Sequence, residues 1–169
     1  SPRVCLERYA YAFAEAQLQL ERVLALWDRV PDAQQRTAMD RVELLSRCGE
    51  AAFAAGDPAR AAELVRQALL LVDQARQPRR AGLLHEQLAR YLRMLGDPGA
   101  LAAQQEAVRL VPPQPSVERA RVLCSLAHYL EMVDRFAETT APAVEAIAIA
   151  RQVGARAEEA DARIALGTA

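Results

Sequence analysis

A chain of 169 residues with a net charge of −1 has room for one domain, or for one piece of a larger solenoid. Its Arg, Asp and Glu residues are interleaved, so no basic face invites nucleic acid. Lys and Asn are absent, which excludes a P-loop, whose lysine grips the phosphates.

Residues 3 to 30 read as a long Ala-rich helical stretch ending at Pro31. Val4, Leu6 and Tyr9 suit a first helix, a weakly marked turn falls near Ala10 to Ala12, and Phe13 opens a second helix. Trp27, near the helix end, is placed to cover a seam between neighbouring helices. Pro31 to Arg36 is a connector.

Thr37 to Ala55 and Pro58 to Gln74 form the clearest unit, a helical hairpin. Leu44, Leu45, Cys48, Ala51 and Ala52 recur at spacings of three and four, which makes one apolar stripe. Gly56 suits a left-handed cap, Asp57 offers an oxygen to the next helix's free N–H groups, and Pro58 fits its first turn. Ala61, Leu64, Val65, Ala68, Leu69 and Val72 carry the second stripe. So short a turn makes the helices antiparallel.

Gln77 to Arg80 is the next connector, with Arg76, Arg79 and Arg80 bunched on it. Ala81 to Leu95 and Pro98 to Leu110 form a second hairpin, with Asp97-Pro98 echoing Asp57-Pro58. Val111 to Pro115 closes it, because successive prolines withhold N–H groups. Ser116 caps a helix through Met132, and Arg135 to Val153 is its partner. Pro142 falls inside that partner, so it must either bend or start late, at Thr139 or Thr140; the bend is the expectation, since Phe136 needs helical backbone to reach the core. Gly154 starts the last connector, and Ala155 to Leu166 begins a further unit.

Small residues at Gly49, Ala89, Ala127 and Gly167 mark the same point of successive first helices, roughly 40 residues apart. With Ala61/Ala68, Ala100/Ala107 and Thr139/Ala146 in the second helices, the pattern resembles the tetratricopeptide repeat. The resemblance implies an all-α fold, a right-handed superhelix of helical hairpins, as a single domain over 1–169. First helices would then line a concave face. Transferring that geometry puts Glu43, Ser46, Glu50 and Phe53 on the face, then Leu83, Glu86, Arg90 and Arg93, then Arg121, Cys124, His128 and Glu131. This mixed lining suits a protein segment or a small-molecule inducer. The family's Lys/Asn clamp for a peptide carboxylate is disfavoured, because both residue types are missing.

No catalytic residues and no metal ligands are expected. His85 and His128 are isolated, and no nucleophile sits on a turn that exposes it. Cys5, Cys48 and Cys124, odd in number and far apart, read as free, buried thiols of a reducing cytosol. No apolar run approaches the ~18 residues of a membrane span, and no signal-peptide pattern opens the chain, so a cytoplasmic protein is expected. Ser1 is no initiator Met and the last unit stops inside its first helix, which reads as an excised piece of a longer protein.

Whole phrases extend the resemblance. Glu21 to Pro31 (ERVLALWDRVP), Leu83 to Leu92 (LLHEQLARYL), Glu106 to Pro112 (EAVRLVP) and Ala155 to Ala160 (ARAEEA) resemble the helical-repeat region of large ATP-binding LuxR-type regulators of the MalT-like class. In that class a P-loop ATPase precedes the repeats and a helix-turn-helix follows them. The resemblance therefore implies ATP in the parent protein and no cofactor in this piece. DNA would be bound only through a missing C-terminal domain, and self-association is a further expectation. The alternative role is a structural spacer or self-association scaffold in a signalling ATPase.

Overall fold

The computed structural model describes residues 15–167. Every regular element among them is helical: α1 (15–26), a 3₁₀ turn (Trp27–Arg29), α2 (Ala33–Thr37), α3 (Arg41–Ala54), α4 (Pro58–Leu71), α5 (Pro78–Met94), α6 (Gly99–Leu110), α7 (Val117–Met132), α8 (Phe136–Val153) and α9 (Arg156–Gly167). The all-α expectation is met. The chain forms two compact units, one of Ser1–Val72 and Arg90–Asp97, the other of Asp73–Ala89 and Pro98–Ala169.

In the first unit, Asp40 caps α3 by accepting from the Glu43 N–H at 2.8 Å, a bond worth about 1 kcal/mol. The expected stripe of Leu44, Leu45, Cys48, Ala51 and Ala52 is buried. Gly56 closes the helix at φ 91°, where a side chain would be strained. Asp57 then caps α4 by accepting from the Arg60 N–H at 2.9 Å, with Pro58 in its first turn. The two helices meet at Gly49: a Cβ there would stand 3.4 Å from the Ala61 carbonyl and 3.0 Å from Val65 Cγ2. The small residue is what lets the backbones approach.

Three boundaries in this unit differ from expectation. The 31–36 connector holds α2, bracketed by Asp32 and Ala38 with φ of 57° and 55° and closed by the Thr37 hydroxyl, which donates to the Ala33 carbonyl at 2.8 Å. The left-handed Ala38 breaks the chain there, so α3 starts at Arg41 rather than Thr37. α4 stops at Leu71 rather than Gln74, because Asp73 accepts from the N–H groups of Ala75 and Arg76, both at 3.1 Å; such a side-chain turn competes with helix. Toward the N-terminus, Glu21 of α1 pairs with Arg60 of α4 at 3.0 Å, and Trp27 is half-buried. Cys5 and the expected turn near Ala10 to Ala12 lie outside the described residues.

In the second unit α5 begins at Pro78, not Ala81, since proline is preorganised for a first turn. Arg79 and Arg80 are therefore helical rather than part of a connector, and Arg79 lies 3.6 Å from Glu118. Its face at Gly82 presses on the end of α6: a Cβ there would stand 2.6 Å from Val111 Cγ2, 3.0 Å from the Val111 nitrogen and 3.1 Å from the Ala107 carbonyl. α6 starts at Gly99, with Pro98 rather than an aspartate in the cap position. Arg119 of α7 holds its other end. The guanidinium, only 12% exposed, donates to the carbonyls of Val108 (2.6 Å) and Val111 (3.3 Å) and pairs with Glu145 at 3.1 Å. It thereby serves carbonyls that a helix end leaves open. Ser116 caps α7 as expected, accepting from the Arg119 N–H at 3.0 Å.

α7, α8 and α9 pack on one another. Ala127 meets Ala143 and Ala165 in one cluster, the third-hairpin counterpart of the Gly49 contact. The fourth point differs: a Cβ at Gly167 would meet nothing within 4 Å, since no second helix faces it among the described residues. α8 runs unbroken from Phe136 through Pro142, so the late start at Thr139 or Thr140 does not occur. Thr139 is instead fully buried and its hydroxyl reaches the Arg135 carbonyl at 3.4 Å. Phe136 is 40% exposed rather than anchored in the core. A helical side chain leans over the turn before it, and the first residue of a helix has none.

Gly96 repeats the left-handed turn of Gly56 at φ 65°, but the third hairpin puts Asp134 there, at φ 58°. Replacing it relieves the Cβ penalty of that conformation, so Asp134→Gly is expected to add about 0.5–1 kcal/mol. A higher urea midpoint at unchanged m-value would verify this.

Candidate interaction surface

The twelve residues expected on one face divide between buried and accessible positions. In the first unit, Glu50 of α3 forms an ion pair with Arg90, and the Arg90 guanidinium lies 5.3 Å from the centroids of both Phe53 and Tyr91. The two rings are 4.8 Å apart, tilted by 31°. Helical spacing puts Glu50 and Phe53 one turn apart, so one arginine bridges both. Arg90 and Glu50 keep 29% and 48% of their side chains exposed, so the ion pair contributes at most about 1 kcal/mol and the ring contacts about 0.5–1 kcal/mol. This is an accessible, preformed patch rather than a structural lock. Glu43 pairs with Arg47 at 2.7 Å, and Ser46 and Arg93 are half-buried. An open cleft of about 340 Å³ adjoins the patch, lined by Arg47, Glu50, Ala51 and Ala54; of these, the sequence pointed to Glu50 alone.

The second unit departs further from expectation. Glu86 keeps 7% of its side chain exposed, and accepts from Arg121 at 2.7 Å and from the Ser125 hydroxyl at 3.2 Å. Leu83 packs against Ala107, Val111 and Val122, and Cys124 sits in the core with Leu123, Ala146, Ile149 and Ala162. Cys124 is therefore buried rather than open to a partner, and Leu83 is half-buried against its cluster. For Cys124 the cause is that α7 is covered by both α8 and α9, so its apolar arc is wider than a single stripe. His128 Nδ1 lies 3.3 Å from Glu131 Oε2, and Arg121 and His128 remain exposed.

Cys48 and Cys124 are free and buried. Burial pushes both thiols up to about 11, reinforced by Glu21 at Cys48 and by Asp161 at Cys124. The reactive thiolate is correspondingly scarce. At pH 8 both are expected to resist iodoacetamide in the folded chain and to label readily in guanidinium, which mass spectrometry would resolve by peptide.

Among the described residues, no group of three His, Cys, Asp or Glu side chains is placed to hold a metal ion. No described helix is long and apolar enough to cross a membrane. No family model matches the chain, and no curated protein matches it. Among solved structures, the fold is similar to that of BtubC (BKLC) from P. vanneervenii, with a TM-score of 0.67 over 96% of this chain and 82% of that one. At 16% sequence identity the likeness concerns the helical fold alone.

Proposed function

We propose that this chain is a tetratricopeptide-like sensing module, a right-handed superhelix of hairpins that binds a protein segment or a small-molecule inducer and performs no catalysis. Its parent is a large ATP-binding LuxR-type regulator of the MalT-like class. The observation that carries the binding role is the accessible Glu50–Arg90–Phe53 patch. A charged pair and an aromatic edge beside an open cleft give both a polar and an apolar handle for a peptide. The recurring small-residue contacts, Gly49 with Ala61 and Ala127 with Ala143, support the repeat reading. The phrase-level resemblance supports the parentage.

A structural spacer is the competing role, and the internal use of Glu86, Leu83 and Cys124 favours it for the second unit. Reading the coding sequence on both sides of the chain tests the parentage. A lysine-bearing P-loop upstream and a helix-turn-helix downstream are expected; flanks with neither would refute the regulator assignment.

A further inference from the structure

His85 lies on α5, one turn after Gly82, where α5 and α6 come close enough to exclude a Cβ. Both its ring nitrogens are buried and neither finds a hydrogen-bond partner. An imidazole with two unserved nitrogens is tolerable while neutral, but a charged one without an acceptor is costly. The charged groups that act on it are Glu106 and Arg109, both on α6. Arg109 already holds Glu106 through two bonds of 2.7 and 2.6 Å. On its own helix the adjacent Glu86 is engaged by Arg121 and Ser125. An imidazolium at this point would have to take Glu106 from Arg109 or remain unserved.

We propose that His85 is an acid-sensitive latch on the α5–α6 hairpin, which packs the two helices together when neutral and loosens them when protonated. Burial lowers the pKa of the imidazole from its ordinary 6.5, Glu106 opposes this and Arg109 adds to it. The unfolded chain therefore binds more protons near pH 6. The stabilisation is complete above the ordinary value and is lost as pH falls through the folded one. Glu106 is held below the usual carboxylate range by Arg109, so it stays charged throughout that window.

The chain has two histidines, so His128→Gln leaves a single imidazole to follow by NMR. Its Hε1 signal is expected to titrate below 6.5, the ordinary value. The melting temperature of the wild type is expected to fall by roughly 2 °C or more between pH 7 and pH 5; His85→Phe is expected to flatten that fall, and His128→Gln to keep it. A His85 titration at or above 6.5, or an equal fall in the His85→Phe variant, overturns the latch. Should His85→Phe not fold, the NMR titration alone decides.

Discussion

Gly82→Val is expected to destabilise the chain by about 3 kcal/mol, through overpacking. The first added carbon would already stand 2.6 Å from Val111 Cγ2 and 3.0 and 3.1 Å from backbone atoms of Val111 and Ala107. None of these can yield cheaply. The Val111 N–H makes the last bond of α6, to the Ala107 carbonyl at 3.0 Å, and Val111 is 1% exposed. Its carbonyl is gripped by Arg119 and the chain then enters Pro112. Gly82→Ala is expected to cost less, because alanine recovers about 1 kcal/mol of helix propensity. Urea unfolding of both variants checks the order; a valine variant as stable as the wild type would show that α5 and α6 do not meet at Gly82.

Tyr91→Ala is expected to cost about 3–5 kcal/mol, the range for removing a buried aromatic. Tyr91 is fully buried, it packs beside Gly49 with Cε2 3.6 Å from where a Cβ would stand, and it stacks with Phe53. Its loss opens a cavity and removes one of the two rings under Arg90. A double-mutant cycle with Phe53→Leu is expected to show a coupling of about 0.5–1.5 kcal/mol. Additive losses would mean that the rings do not support each other.

The parts of this fold legible in the sequence are those written in neighbouring residues. Asp57-Pro58 after Gly56 announces a turn and a cap because all three act within four positions, and Ser116 does the same. The small-residue register at Gly49 and Ala127 was legible because its period recurs. Asp73 was equally local, but the apolar stripe running to Val72 masked its turn. Arg119 carried no signal, since the carbonyls it serves are eight and eleven residues away, in the last turn of α6 and in the residue that follows it. Gly82 was visible as a glycine, yet only the position of Val111 shows that nothing larger fits. Cys124 is buried where its helical position suggests an open face, because periodicity gives the width of a stripe and not how many neighbours press on the helix. The bridge of Arg90 to both Glu50 and Phe53 required a separation of 40 residues from Glu50 to close in space.

The binding role is tested most directly on the folded chain by selecting peptides from a displayed random library and measuring their affinities for the wild type and for the double variant Glu50→Ala/Arg90→Ala. Removing both members of the pair takes out charge and countercharge together, and circular dichroism of the variant is expected to show an unchanged fold. The expected result is peptides of micromolar affinity that weaken about tenfold or more in the variant, a loss of about 1.4 kcal/mol. Selected peptides that bind both proteins equally, or a library that yields none, would contradict a recognition surface at this patch and leave the spacer role standing.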